Sequence, residues 1–131
     1  MSLVQTASHN TRAVDVETVR AAAGHAASDG ADMLAMPEAA GLMDKDKDHA
    51  RAQITTEGED PYIAACRDAA ARHGLWVHSG SCPIKAPDGR YLNHSVLLDA
   101  SGAIVARYDK IHLFAVFLPG RRGTAESDRY A

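Results

Sequence analysis

Apolar residues recur along the chain at two different periods, and these periods predict two kinds of secondary structure. Two windows carry apolar residues, many of them alanine, on one face at helical spacing, which predicts helices over about 11–29 and 60–74. The second window begins with Asp60-Pro61, an N-cap residue followed by a proline at the first helical position, and it stops at Gly74. Both windows are long enough to cover a sheet.

Short apolar runs bounded by turn residues predict five β-strands. The predicted strands are residues 3–7, 32–36, 75–81, 91–98 and 103–108. The last two are joined at Ser101-Gly102 and form an antiparallel hairpin. Residues 39–59 have no clear period, but Asp44-Lys45-Asp46-Lys47-Asp48 within them alternates in charge, which predicts a solvated segment or a short irregular helix.

The order of these elements predicts an α/β fold in which a mixed sheet carries two helices on one face. Alternating strands and helices pair in parallel through right-handed crossovers, and the closing hairpin adds antiparallel strands. The length of 131 residues fits a single domain, 1–131. The second face of the sheet would be bare and apolar, so we expect it to be covered by a second copy, giving a homodimer or higher oligomer, or by further polypeptide.

Composition narrows the class of protein. The net charge is -3, with acids and bases interspersed, so no basic face suggests a nucleic-acid partner. No apolar run approaches the length of a membrane span, and the first residues lack the pattern of a signal peptide. Two cysteines do not make a disulfide framework. We therefore expect a soluble cytoplasmic protein that does not bind a membrane.

Two charged residues follow predicted strands and are candidates for chemistry. Glu38 follows Pro37 at the carboxyl end of a buried strand, where ligand sites in α/β sheets gather. A carboxylate partly removed from water there suits a general base, although a helix N-cap or a solvated loop acid would look the same. Lys110 follows the last strand and could stabilise negative charge on a substrate oxygen, or simply be solvated.

Weaker candidates lie elsewhere in the chain. Glu126 is a possible second carboxylate near the site or a surface acid, and His112 is a possible substrate contact or a structural histidine. The seven histidines show no metal-binding spacing, so no metal site is expected. Cys66 lies on the inner face of a predicted helix and reads as a core residue, whereas Cys82 precedes Pro83 at a strand end and is either core or a reactive thiol.

At this point the sequence resembles the N-terminal half of the nitrilase superfamily of carbon–nitrogen hydrolases, and the agreement covers nearly all of the chain. The Lys-Ile-His-Leu-Phe form is similar to the branch that contains the omega-amidases. The segments that carry the resemblance, in order, are Met36-Pro37-Glu38-Ala39, Gly80-Ser81, Asn93-His94-Ser95, Gly102-Ala103-Ile104-Val105, Tyr108-Asp109-Lys110-Ile111-His112-Leu113-Phe114 and Glu126-Ser127.

The resemblance implies half of an αββα sandwich and a Glu–Lys–Cys site that acts on a small amide or nitrile. By that match Glu38 is the general base, Lys110 stabilises the tetrahedral intermediate, and Glu126 is an additional carboxylate near the lysine. A cysteine thiolate attacks the substrate carbon, and water then hydrolyses the thioester. No metal or organic cofactor is implied.

The sequence departs from this family at the nucleophile. The family's cysteine lies on a later strand, and no cysteine follows Cys82 in this chain. We therefore expect no nucleophile here and little activity from the chain alone. Two alternatives remain open: a non-catalytic half-domain that associates with itself or with a partner, and one half of a split enzyme.

Overall fold

A computed structural model describes residues 1–111, 115–116 and 124–125. Helices and strands alternate in the first half of the chain, and strands dominate the second half. In chain order the elements are β1 (Ser2–Leu3), α1 (Arg12–Ser28), β2 (Met33–Ala35), α2 (Lys47–Gln53), α3 (Pro61–His73), β3 (Trp76–His78), β4 (Cys82–Lys85), β5 (Tyr91–Leu98), β6 (Ile104–Asp109), β7 (Ala115–Val116) and β8 (Thr124–Ala125).

The main sheet is mixed, as the sequence predicted. Its strands run in the order β1-β2-β3-β5-β4, and β6 pairs with the other edge of β5. The pairs β1–β2 and β2–β3 are parallel, while β5 is antiparallel to β3, β4 and β6. The short strands β7 and β8 form a separate antiparallel pair. The parallel strands β1, β2 and β3 are joined by helical crossovers, and the antiparallel strands follow them in the chain.

The register of the strands separates two faces. Leu34 on β2, Val77 on β3 and Leu98 on β5 are aligned neighbours, and all three are fully buried. Because side chains alternate along a strand, the residues before and after them point to the opposite face. That opposite row includes Leu3 on β1 and Leu97 on β5, and it is less buried.

Helices α1 and α3 pack against each other and against the buried face of the sheet. Large side chains such as Tyr62 and Ile63 fill this layer, and alanines occupy many of the closest positions. The buried alanines of the two helices are Ala22, Ala23, Ala26, Ala65, Ala69 and Ala70. Small side chains let two helices and a sheet approach closely, which gives the alanine-rich windows a structural role. Both predicted helices lie on one face, as expected.

Strand β4 is the element that the sequence reading missed. We expected one strand over 75–81, but the structure ends β3 at His78 and starts a new strand at Cys82. Pro83 argues against a central strand because proline cannot donate a backbone hydrogen bond. β4 lies at the edge of the sheet, however, and pairs only with the first half of β5 within the described residues. An edge position tolerates the proline, so the strand forms.

The remaining differences concern short elements. β1 has two residues, Ser2–Leu3, rather than five, and the charged segment contains one short helix, α2, with no buried residue. α2 is linked to the start of α1 by Gln53, whose side chain accepts from the Arg12 amide at 3.0 Å. No helix in the described part of the chain is both long and apolar enough to cross a membrane.

The second face of the sheet carries exposed apolar side chains in this chain. Leu3 is 73% exposed and Trp76 is 42% exposed, while Met33, Ala35 and Leu97 are half-buried. This distribution agrees with a sheet that has helices on one side and, on the other, an apolar surface that the described residues leave exposed.

Candidate active site

The structure brings Glu38 and Lys110 together. The Lys110 ammonium donates a hydrogen bond to Glu38 Oε1 at 2.6 Å, although the two residues are 72 positions apart. The lysine side chain is 25% exposed and the glutamate side chain is 62% exposed. The sequence suggested a carboxylate partly removed from water, and this exposure contradicts that suggestion for Glu38. Among the described residues, the pair therefore lies on an open rim of the main sheet.

Strand direction explains why the two residues meet. β2 ends at Ala35, and Met36 and Pro37 lead from it to Glu38 at the carboxyl end of the parallel strands. β5 runs back from that end, and β6 returns to it, so that Lys110 arrives at the same rim. The Lys110 amide then donates to the carbonyl of Asn93 at 2.9 Å, which fixes the backbone of the lysine.

The segment after Pro37 is held by the loop that follows β3. The Ala39 amide donates to Ser81 Oγ at 2.9 Å, and the Gly41 amide donates to the Ser81 carbonyl at 3.2 Å. Ala39 has φ 54°, an unusual conformation for a residue with a side chain. Its strain is offset by the two hydrogen bonds to Ser81, so the loop next to Glu38 has a defined path.

Gly80 makes the close approach of these two loops possible. Its φ is +68°, and a Cβ built on it would lie 1.9 Å from the carbonyl oxygen of Pro37. Only glycine fits such a position without displacing its neighbour. The glycine therefore sets how near the loop after β3 can come to the residue before Glu38.

Arg12 holds the segment that follows Glu38 in place through buried contacts. Its side chain is almost fully buried, its Nη2 lies 2.6 Å from Asp60 Oδ2, and it donates to the carbonyls of Gly41 and Pro83. Asp60 also accepts from the Tyr62 amide, as the N-cap of α3. Desolvation raises the pKa of Asp60, and the nearby Arg12 guanidinium opposes that rise. One buried ion pair thus joins both helices to the Glu38 loop.

A cleft of about 340 Å³ opens beside the Glu38–Lys110 pair. Its walls come from the ends of β2, β3, β5 and β6 and from the loop after β3. The lining residues are Met36, Glu38, His78, Gly80, Ser81, Asn93, Ser95, Tyr108 and Lys110. Most of these side chains are polar, so the cleft can bind a polar group next to the carboxylate and the ammonium.

A histidine between two carboxylates supports the strand that leads to Lys110. Buried His94 on β5 contacts Asp109 at 2.6 Å through Nδ1 and Glu57 at 3.0 Å through Nε2. Glu57 also accepts two hydrogen bonds from Arg107, at 2.8 and 3.0 Å. The hydrogen bond from Arg107 is the main cause that lowers the pKa of Glu57. This cluster fixes the end of β6 immediately before the lysine.

Neither cysteine of the chain is placed to act as a nucleophile in this cleft. Cys66 is a fully buried core residue, as predicted, and Cys82 is buried at the start of β4. Burial, together with the nearby Asp60 carboxylate, raises the pKa of Cys82 to about 12, and burial also raises the pKa of Cys66. Since the thiolate is the reactive form, a buried thiol with a raised pKa is inert.

Two predicted site residues cannot be placed. Glu126 and His112 lie outside the described residues, so their roles remain predictions. Within residues 1–111, 115–116 and 124–125, no three His, Cys, Asp or Glu side chains are grouped to hold a metal ion.

The sequence reading did not assign roles to Ser81, Asn93 or His94. Each of them belongs to a segment that carried the resemblance, Gly80-Ser81 or Asn93-His94-Ser95, so a signal was present. Their contacts depend on which strands are neighbours, and that could not be read from spacing.

Comparison with known proteins identifies the family. The carbon-nitrogen hydrolase family model matches residues 1–131. A deaminated glutathione amidase from Yersinia enterocolitica is 38% identical over 76 residues, which cover 55% of this chain and 26% of the relative. The crystal structure of the Caenorhabditis elegans NitFhit protein superposes with a TM-score of 0.81 at 24% identity, covering 98% of this chain and 32% of that one.

An amidase from Nesterenkonia sp. superposes with a TM-score of 0.71 at 25% identity, covering 92% of this chain and 47% of the amidase. Each of these three matches covers less than half of the relative's own length. The family model, in contrast, spans this sequence from end to end, and the chain belongs to the carbon-nitrogen hydrolase family.

Proposed function

We propose that this chain carries the glutamate–lysine part of a hydrolase site that cleaves non-peptide C–N bonds of small amides. The observation that carries the proposal is the 2.6 Å contact between Glu38 and Lys110 at the edge of a polar cleft. The nucleophile is a cysteine thiolate other than Cys66 and Cys82, because both of these are buried away from the cleft lining. The chain alone is therefore expected to be inactive.

Glu38 and Lys110 have distinct roles in this mechanism. The Glu38 carboxylate takes the proton of the cysteine thiol, and the thiolate attacks the amide carbon. The carbonyl oxygen becomes negative as the new C–S bond forms, and the Lys110 ammonium stabilises it. Protonated Glu38 then gives its proton to the leaving nitrogen, and the C–N bond breaks to leave a thioester. Glu38 finally takes a proton from water as the water oxygen attacks the thioester carbon. The C–S bond then breaks to release the carboxylic acid, and Glu38 returns the proton to the leaving thiolate.

The names of similar proteins agree with this chemistry. The Yersinia enterocolitica relative is an amidase, and the Nesterenkonia sp. AN1 protein is an amidase with an active-site cysteine to which acrylamide adds. Their activities are properties of those proteins, and they support a C–N hydrolase reaction for the site built on Glu38 and Lys110.

Ammonia release from short amides tests the reaction. The 131-residue chain should give only background release, and Cys82→Ala should leave it unchanged. In the product of the whole reading frame that contains this sequence, Glu38→Gln should lower kcat by about 10²–10⁴. Lys110→Met should lower it by about 10²–10³. The matched control is Glu17→Gln, since this glutamate is 71% exposed on α1 and pairs only with Arg20 among the described residues.

Full activity in the Glu38→Gln protein would refute the proposed role of the carboxylate. Turnover by the short chain that is lost in Cys82→Ala would show that the buried thiol reacts after all, and the assignment of an external nucleophile would fail.

A carbodiimide test examines the geometry without needing turnover. A zero-length reagent joins a carboxylate to an amine in contact with it, so the chain should gain a Glu38–Lys110 amide with the loss of one water mass. Glu38→Gln should abolish this product, whereas Glu17→Gln should keep it. Absence of the crosslink in folded wild-type protein would contradict the 2.6 Å contact.

The exposed apolar face favours a second candidate function, which is association with another copy of the chain. Leu3 and Trp76 are exposed large apolar side chains on that face. We expect a homodimer or higher oligomer by light scattering at micromolar concentration, and a shift toward monomer in Trp76→Glu. Met43→Glu, which changes an apolar residue 58% exposed in a loop, should have no such effect. A monomeric wild-type mass would rule out this association.

A further inference from the structure

Asn93 is a polar residue in the cleft whose side chain has no hydrogen-bond partner among the described residues. The residue is only 6% exposed, and it lines the cleft with Glu38 and Lys110. Its backbone carbonyl accepts from the Lys110 amide. Its side-chain amide makes no hydrogen bond to any residue in the part of the chain that the structure describes, and its atoms are not among those sealed from solvent. Asn93 therefore lines the cleft with a side-chain amide that no described residue satisfies.

Such an arrangement is unusual for asparagine. A carboxamide carries two N–H donors and an acceptor oxygen, and a buried one normally finds partners in the protein. Other buried polar side chains nearby do: His94 pairs with two carboxylates, and the Ser79 hydroxyl accepts a hydrogen bond from the Val96 amide. The donors and the acceptor of the Asn93 side chain are therefore available to a ligand in the cleft.

The strand register places Asn93 beside the proposed chemistry. The β5–β6 ladder aligns Ser95 with Tyr108. Two residues further along each strand, the Lys110 amide donates a hydrogen bond to the Asn93 carbonyl. Asn93, Ser95 and Lys110 therefore lie on the same face, at the end of the sheet where Glu38 enters. If the carbonyl oxygen of a substrate amide binds the Lys110 ammonium, the amide nitrogen would lie near Asn93 and Ser95.

We propose that Asn93 binds the amide group of the substrate and selects carboxamides over nitriles. Its Oδ1 accepts a hydrogen bond from the N–H of the substrate, while Lys110 binds the carbonyl oxygen. A nitrile with the same carbon chain has no N–H to donate, so it would leave Oδ1 without a partner. A site built to bind a substrate N–H rejects an analogue that lacks it. This inference rests on the proposed function and names the substrate class of the same site.

Nuclear magnetic resonance on the chain itself can test this directly. The sequence contains two asparagines, Asn93 and the exposed Asn10, so protein labelled with ¹⁵N-asparagine gives two side-chain NH₂ signals. Butyramide is the probe, and butyronitrile is its matched analogue. We expect butyramide to shift the Asn93 signal saturably and to leave the Asn10 signal unchanged. Butyronitrile should bind at least about tenfold more weakly, the effect of losing one hydrogen bond.

Variants provide a second readout. In ligand-detected experiments Asn93→Leu should abolish butyramide binding, Asn93→Asp, which keeps an acceptor oxygen, should retain part of it, and Asn10→Leu should bind like wild type. Trp76 fluorescence reports whether each variant is folded. The wild-type measurement does not depend on any variant folding.

The outcomes separate this inference from the proposed function. Equal binding of the amide and the nitrile, or no saturable shift of the Asn93 signal, would overturn the role of Asn93. If Asn93 binds butyramide but Glu38→Gln leaves ammonia release unchanged in the product of the whole reading frame, amide recognition stands and the catalytic proposal fails. The reverse result would keep the catalytic pair and remove Asn93 from substrate recognition.

Discussion

Replacing Gly80 with alanine should displace the backbone that leads into Glu38. The new Cβ would lie 1.9 Å from the carbonyl oxygen of Pro37 and 2.8 Å from that of Met36. Real Cβ atoms do not approach oxygen so closely, and both contacts involve backbone rather than a flexible side chain. The segment that leads into Glu38 must therefore move.

The magnitude has two parts. Alanine at a positive φ costs about 1–2 kcal/mol of stability. Forcing a methyl group into an occupied position costs about 1–3 kcal/mol more. Gly30 separates these terms, because it has a similar φ of +72° but nothing within 4 Å of its added Cβ. We therefore expect Gly80→Ala to be destabilising by about 2–5 kcal/mol and Gly30→Ala by about 1–2 kcal/mol.

Urea unfolding followed by Trp76 fluorescence measures both variants, provided that their m-values agree. The carbodiimide crosslink supplies a second readout, since a displaced Pro37 carries Glu38 away from Lys110. Its yield should fall in Gly80→Ala and stay unchanged in Gly30→Ala. Equal destabilisation of the two variants, with an unchanged crosslink, would refute the argument that Gly80 sets the position of Glu38.

Three further predictions concern buried charge and buried thiol. Arg12→Met should be destabilising by about 3–5 kcal/mol at neutral pH, because it leaves the Asp60 carboxylate buried without its cation. Because burial raises the pKa of Asp60, its ionised form opposes folding. The loss of stability caused by Arg12→Met, measured by urea unfolding, should therefore shrink as the pH falls and the Asp60 carboxyl is protonated. For Glu57, whose pKa Arg107 lowers, the sign is opposite. Above pH 4.5, the ordinary pKa of a glutamate, the wild type should be more stable than Glu57→Gln. This difference in stability should close as the pH falls below 4.5. A difference that stays constant with pH would contradict the pairing of Glu57 with Arg107. Finally, Cys82 should react with a thiol reagent slowly in native protein and rapidly in urea, so fast native labelling would show that the thiol is accessible.

Much of the fold could be read from local signals. Asp60-Pro61 marks the start of α3, and its side chain accepts from the Tyr62 and Ile63 amides as an N-cap should. The strand predicted over 91–98 has those bounds in the structure. These features depend on a few adjacent residues, so composition and spacing are enough to predict them. The boundaries of β1 and β3 were less accurate because the length of a short strand depends on its neighbours.

The candidate site was predictable only in part. Glu38 and Lys110 stood out because each follows a strand, and parallel and returning strands end at the same rim. The contacts around them gave no local signal. His94 looks like any strand histidine until β6 brings Asp109 beside it, and Arg12 looks like a surface residue at a helix start until Asp60 is placed next to it.

The sequence by itself determined the order of the main helices and strands apart from β4, the face that each main helix buries, and the two charged residues at strand ends. Hydrophobic periodicity and the residues that begin or end helices and strands are local features, so they can be recognised without knowing the fold. Only the tertiary structure decided that β4 is an edge strand, that Glu38 and Lys110 are in contact, and that Asn93 is buried with no side-chain hydrogen bond to the part of the chain that the structure describes. These facts depend on strand order and register, because a shift of one residue would turn every side chain of a strand to the opposite face.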